Sequence, residues 1–265
     1  MRASVAFLRS APAGCSSSGN TCFRCKQSVW TPSEAANKAF GRPRRTIVIA
    51  EAASSSATKD FTGLSSLRFG KPTSTEMLDL MDEWTSRDCN HDFAGASLSA
   101  PELPAGVQNG GFMITKTRKK VGSGQEVYNA AVSAVKSWAH LQLGWNCTTN
   151  PAMKVGVTIC SATQTVVPWS VLPARVTYMN EGSEKFDDGS GKRFALGMCS
   201  LSGHQLAGEE RFAVELHADG SVWYDVFLFS KPDTLLAMVS LPVVKIMQIR
   251  YVNDSASAVA AAVQA

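Results

Sequence analysis

The order of elements in this chain predicts an α+β fold, an antiparallel sheet with helices packed on one face, and three observations carry the prediction. A strand followed by an amphipathic helix occupies the stretch between Phe112 and Gly144. A run of segments rich in β-branched and aromatic residues comes next, with a hairpin signal at Asp219-Gly220. A further apolar stripe of helical period follows Pro232. Strands grouped together, with helices before and after, oppose the alternating pattern of a parallel sheet.

The first 50 residues differ in charge from the rest. They hold eight basic residues and one acid, Glu34; from totals of 26 and 22, the remainder keeps 18 basic and 21 acidic residues. The +4 net charge therefore resides at the N-terminus. No clustered Lys/Arg is left to displace counterions from phosphates, so no nucleic-acid partner is expected. Residues 1–53 contain Arg and Ser and lack the apolar core of a secretory signal. They are expected to form a cleaved plastid transit peptide, because Val48-Ile49-Ala50 resembles plant and algal plastid processing sites. A mitochondrial presequence has overlapping composition and competes with that reading. The expected destination is the chloroplast, stroma or envelope.

Of seven cysteines, Cys22 and Cys25 form a lone CxxC within the leader. Cys89, Cys147, Cys160 and Cys199 lie far apart without ligand spacing, so neither a metal site nor a disulfide is expected. They read as small buried hydrophobes, and no cofactor motif accompanies them. The longest apolar run, Leu235 to Ile249, is interrupted by Ser240, Pro242 and Lys245. It falls short of the ~20 residues that a transmembrane helix needs.

Residues 54–110 are expected to be a flexible segment carrying one short helix over 72–82, capped by Ser74 or Thr75. Residues 111–265 then form a single α+β domain. Its first strand runs from Phe112 to Val121, and Ser123-Gly124-Gln125-Glu126 opens a helix as a capping box. Val127, Ala131, Ala134, Trp138 and Leu141 make its apolar stripe, with Gly144 as the stop. Lys119 to Gly124 lacks the full pattern of a phosphate cradle. Strands are expected over 155–160, 171–179, 194–199, 211–216 and 222–229, the second at an edge or bent because of Pro168 and Pro173. Asp233 or Thr234 caps the final helix, whose stripe is Leu235, Leu236, Val239, Val243, Ile246 and Met247, with a kink at Pro242.

This order resembles the helix-grip fold of the START and Bet v 1 superfamily, in which a curved antiparallel sheet wraps a long C-terminal helix around an apolar cavity. The segment from Phe194 to Leu216, FALGMCSLSGHQLAGEERFAVEL, with DGSVWYDVFLFSKP over 219–232, resembles the uncharacterised protein family 0548 of plants and bacteria. VGSG at 121–124, Trp138 with His140, Leu141 and Trp145, and VPWSVLPARVTY at 167–178 match as well, as does the FGKP at 69–72. The resemblance spans about 69–260 and implies one domain of unknown function, without naming an activity.

The hairpin yields the candidate residues. A two-residue turn at Asp219-Gly220 pairs Leu216 with Trp223, Val214 with Asp225, Phe212 with Phe227 and Glu210 with Phe229, all on one face. Glu209, Arg211, Glu215, His217 and Tyr224 then face solvent. Glu210 and Asp225 become carboxylates on an apolar face, where each must be paired, hydrogen-bonded or protonated. Their ladder positions lie roughly 13 Å apart, too far for a paired-carboxylate hydrolase.

The leading expectation is a pocket for a hydrophobic or amphipathic small molecule, lined by Phe212, Trp223, Phe227, Leu236 and Ile246 with Glu210 and Asp225 as polar anchors. It requires a cavity above about 200 Å³, since ligand pockets usually measure ~300 Å³ or more. An enzyme using the same pocket, with His204 or Glu210 as acid/base, requires His204 to face that cavity. A third reading lays the terminal helix, with Lys245 and Arg250, on an envelope membrane or scaffold partner.

Overall fold

The computed structural model describes residues 60–165 and 167–264; the expected leader, residues 1–53, lies outside the described residues. The strands are β1 (Leu67–Arg68), β2 (Met113–Ser123), β3 (Asn146–Thr148), β4 (Thr158–Gln164), β5 (Trp169–Phe186), β6 (Gly189–Ser200), β7 (Leu206–Leu216) and β8 (Ser221–Pro232). They form one antiparallel sheet in the order β2-β8-β7-β6-β5-β4-β3, with β1 paired to β5. The helices are α1 (Ser74–Glu83), α2 (Ala105–Gln108), α3 (Gln125–Lys136), α4 (Leu235–Val239) and α5 (Leu241–Ala262).

The sheet curls around α5. Thr117, on edge strand β2, bonds Asn253, while Trp145, just before the opposite edge strand β3, donates its indole N–H to Asp254. Two sheet edges thus meet adjacent residues of one helix, the helix-grip arrangement. The concave core joins Phe194, Leu196, Phe212, Val214, Tyr224 and Val226 of the sheet to Tyr128, Val132 and Val135 of α3 and to Val252, Ala256 and Val259 of α5.

The convex face is covered too, which the sequence reading had left solvated. Met77 and Trp84 pack on Cys160, Ala162, Trp169 and Val171. Leu103 and Val107, with Phe93 and Phe112 beside them, pack on Phe227 and Phe229. The segment expected to be flexible before Gly111 is therefore, from Asp60 onward, a second layer of the sheet. Burial on both faces explains why Phe194 to Ser200 is buried without alternation.

A disulfide between Cys89 and Cys199 fastens this layer, contrary to the expectation of isolated thiols. Asn90 N–H bonds the Ser200 carbonyl and Ser202 N–H bonds the Asp88 carbonyl, laying 88–90 beside the end of β6. That pairing closes a separation of 110 residues, and no sequence spacing announces it. Cys147 and Cys160 remain thiols, with Cys160 buried.

Local chemistry also departs from expectation at the helix ends. Thr73 caps α1 by accepting from Glu76 N–H. The capping box at Ser123 does not form, because Ser123 ends β2 in register with Ser221 and Gly124 is the N-cap of α3. That helix ends at Ser137, where Trp138 turns to φ 64° and donates its indole N–H to the Pro151 carbonyl. Thr234 caps α4 as expected, but Pro242 opens the first turn of a separate helix instead of kinking one. Strand β5 lies inside the sheet and bulges between Val176 and Tyr178.

Replacing Cys89 with Ser is expected to lower the unfolding free energy by about 2–5 kcal/mol, because a tether across a long loop restricts the unfolded chain. Urea denaturation without reductant measures it. A loss below about 0.5 kcal/mol, the range of ordinary surface changes, would show that the layer holds without its tether.

Candidate functional site

The site is set by the β7–β8 hairpin, whose turn differs from the expected one. His217 N–H bonds the Ser221 carbonyl and Gly220 N–H bonds the His217 carbonyl, leaving Ala218, Asp219 and Gly220 as a three-residue loop. Gly220 adopts φ 80°, the left-handed position that follows a type I turn in such loops. The register becomes Leu216 with Val222, Phe212 with Val226 and Glu210 with Leu228. This is a slip of one residue, and a slip of one exchanges the faces of β8.

Trp223, Asp225 and Phe227 therefore leave the expected pocket for the convex face. Asp225 accepts from Arg211 at 2.6 Å, Phe227 joins the covering layer, and the Arg118 guanidinium lies 4.4 Å from the Trp223 ring centre. Tyr224 moves inward, its hydroxyl 2.9 Å from Ser255 Oγ. Phe212 stays concave but packs beside His140, ring centres 4.6 Å apart, away from the cavity wall. Leu236 does not line the cavity either, and Ile246 is 66% exposed.

Glu209 points to the convex face as the alternation of β7 predicts, but it is buried there at 1% exposure. It accepts from Gly95 N–H (2.5 Å), Ser97 N–H (2.8 Å), Ser97 Oγ (2.6 Å) and Thr177 Oγ1 (3.1 Å). The Tyr178 hydroxyl completes the chain at Ser97 Oγ, 2.8 Å away. The β5 bulge turns both Thr177 and Tyr178 toward this carboxylate. Gly197 is required opposite, since a Cβ there would enter the Tyr178 ring.

Glu210 points the other way, into a cavity of about 160 Å³ between the concave sheet and α5. Met198, Ser200, Leu172 and Leu228 line it from the sheet; Val244, Met247, Gln248 and Tyr251 line it from the helix; His204 and Gln205 line it from the β6–β7 connection. The volume falls short of the ~200 Å³ required above, so the pocket expected from the sequence, walled by Phe212, Trp223, Phe227, Leu236 and Ile246, is not the one present; a smaller cavity with a different lining stands in its place. It is close to the ~150 Å³ of an enclosed apolar cavity that holds benzene. The helix residues at 244, 247, 248 and 251 repeat at helical spacing and share only Met247 with the stripe expected from the sequence. That periodicity was the available signal for Gln248 and Tyr251, which the sequence reading missed.

Tyr251 donates its hydroxyl to Glu210 Oε2 at 3.0 Å, and desolvation nonetheless raises the Glu210 carboxyl to about 7. The Tyr251 phenol is pushed well above its ordinary value by burial and by that carboxylate. His204 accepts Leu206 N–H at Nδ1 (2.9 Å), which places its proton on Nε2, and desolvation lowers it to about 4. His204 is thus a neutral ring at physiological pH. Gln248 donates to Ser230 Oγ at 2.6 Å, while its Oε1 is buried without a partner among the described residues. Ser200 is no free nucleophile, since its hydroxyl lies 2.7 Å from Asn90 Oδ1 and accepts Gly208 N–H at 2.8 Å. Among the described residues, no three His, Cys, Asp or Glu side chains group to hold a metal.

Residues 95–258 match the model of a family described as "Domain of unknown function (DUF1990)", a span that starts inside the convex layer. A UPF0548 protein of Arabidopsis thaliana is 33% identical over 198 residues, which cover 73% of this chain and 95% of that protein. A UPF0548 protein of Dictyostelium discoideum is 32% identical over 153 residues, 54% of this chain and 69% of that one. The crystal structure of a hypothetical protein from Helicobacter pylori overlaps with TM-score 0.38 and 14% identity, across 60% of this chain and 95% of its own. That overlap is too loose to carry an argument.

The Glu210 carboxyl has a stated consequence for stability. Its folded value lies above its unfolded one, so the folded state holds an extra proton between the ordinary glutamate range and pH 7, and stability falls as pH rises through that window. His140 and His204 work oppositely: both are lowered in the fold, and stability falls as pH drops below the ordinary histidine value. Comparison with Glu210→Gln cancels the histidine contributions. From pH 5 to pH 8 the native protein should lose about 2–3 kcal/mol relative to the Gln variant, at 1.36 kcal/mol per pKa unit. Urea unfolding at the two pH values measures this, and parallel curves would show that Glu210 is not desolvated.

Proposed function

The chain belongs to the DUF1990 family, which is defined by sequence and not by an activity, and we propose that it binds a small amphipathic molecule in the cavity between the sheet and α5. The observation that supports this most is the cavity's composition. Apolar walls from Leu172, Met198, Leu228 and Met247 flank Glu210, whose Oε1 carries no hydrogen bond among the described residues. Hydroxyl and amide side chains, among them Ser161, Thr163, Ser170, Ser200 and Gln205, share the lining, and polar groups set among apolar walls fix a ligand's orientation. At about 160 Å³, the apolar body of that ligand is one ring or a short chain.

The test is native mass spectrometry of the full chain purified from its own cells. A bound small molecule should appear as a mass excess that collisional activation removes. Ala174 lines the cavity, and Ala174→Leu should abolish the excess while circular dichroism stays native. Retention of the excess by that variant would move the ligand elsewhere.

A specific surface favours a second role beside this one. From Leu235 to Asn253 the chain has no acid and only Lys245 and Arg250 as charges. Leu235, Met238, Val239, Ile246 and Ile249 are each more than half exposed on α4 and α5, next to cavity-lining Val244 and Met247. Apolar residues flanked by cations suit the boundary of an anionic bilayer. With a leader at residues 1–53, that bilayer would be a plastid envelope. Co-sedimentation should show binding to vesicles with acidic phospholipid and little to neutral ones, and Ile246→Glu with Ile249→Glu should release the protein. Equal binding of the double variant would end this role.

A further inference from the structure

We propose that the cavity receives the protonated nitrogen of a small amine, with Glu210 as its counter-ion. This rests on the binding reading above and names the chemical class that the same site selects.

The fold supplies its other enclosed carboxylates with donors or a cation. Glu209 accepts four hydrogen bonds, Asp225 pairs with Arg211 at 2.6 Å, and Glu215 pairs with Arg118 at 2.7 Å. Glu210 has a single partner among the described residues, the neutral hydroxyl of Tyr251, and only its Oε2 is engaged. An enclosed carboxylate without a cation is costly, and this one lines an empty space where a cation fits. Arg211, adjacent in sequence, is committed to the opposite face by Asp225 and by the Ser97 and Ala100 carbonyls.

The rest of the wall agrees in sign. No Lys or Arg lines the cavity, so a carboxylate or phosphate ligand would meet an acid and no counter-charge. Gln248 holds Ser230, and Ser230 sits opposite Gly208, one pleat along β7 from Glu210. Glu210 thus lies one pleat from the Gln248–Ser230 contact, and its open oxygen asks for an N–H donor. An alkylammonium has three such donors and no acceptor.

Benzylamine, benzyl alcohol and benzoate share one ring-sized body and differ in charge, so they serve as probes of the full chain by calorimetry or ligand-observed NMR. At pH 8 benzylamine should bind at least about tenfold more tightly than benzyl alcohol, with benzoate weakest. The groups facing Glu210 are Tyr251 from α5 and Tyr224 from β8, both phenols raised above their ordinary value, and the neutral His204 shares the cavity. None of these titrates between pH 6 and 8, whereas Glu210 does at about 7. Benzylamine should therefore weaken about tenfold from pH 8 to pH 6, as the carboxylate regains its proton. Glu210→Gln should erase both the preference and the pH dependence while benzyl alcohol binds as before. If the alcohol matches the amine, or the Gln variant keeps the preference, the amine assignment falls and the cavity remains a binding site. If none of the three binds, the assignment falls together with the binding reading.

Discussion

The buried carboxylate of Glu209 is the interaction on which the rest of this structure depends. Four donors converge on it from two directions, the 95–97 turn above the sheet and Thr177 within it. Charge-assisted bonds of this kind are roughly twice as strong as neutral ones, and an unpaired partner would be costly to bury. Arg211 repeats the pattern two residues on, giving one end to Asp225 and the other to the Ser97 and Ala100 carbonyls. Cys199 stands opposite Glu209 in the β6–β7 ladder and carries the disulfide to Cys89. Covalent tether and polar latch thus fasten the same patch of sheet to the same segment.

That latch determines what its neighbour does. Successive residues of a strand point to opposite faces, so fixing Glu209 outward fixes Glu210 inward. Two adjacent carboxylates end in opposed environments, one saturated with donors and one facing a cavity with a single phenol. By holding Glu209 on the convex side, the covering layer sets the orientation of Glu210 on the concave side.

The alternation of β7 was legible, and it assigned Glu209 and Glu210 to their faces correctly. The register of β8 was not. Asp-Gly suits a two-residue turn, but it equally fills the last two places of a type I turn ending in a left-handed glycine. Local sequence does not choose between them. What chooses is the burial of Phe227 and Phe229 against Phe93 and Phe112, and that partner surface has no periodicity to reveal it. The covering layer is built of short local turns and held by a latch and a disulfide whose partners lie 110 or more positions away, so its sequence reads as a loop. The terminal helix failed for a related reason: two apolar stripes run along it, and period alone cannot say which one meets the sheet.

The second half of α5 shows why a cavity exists at all. There the residues turned to the core are Val252, Ser255, Ala256 and Val259, short side chains that let helix and sheet approach closely. Ser255 even meets the Tyr224 hydroxyl directly. Toward the start of the helix the inward residues become Met247, Gln248 and Tyr251, and they face Gly208, Ser200, Ser170 and Ala174 on the sheet. Longer side chains stand on the helix here, and the sheet side mixes these small residues with Leu172, Met198 and Leu228, leaving about 160 Å³ unfilled. A core built only for stability would close such a gap, since each unfilled volume forfeits dispersion contacts. Here the gap is retained, and the chain places in it an acid that the rest of the fold leaves without a cation.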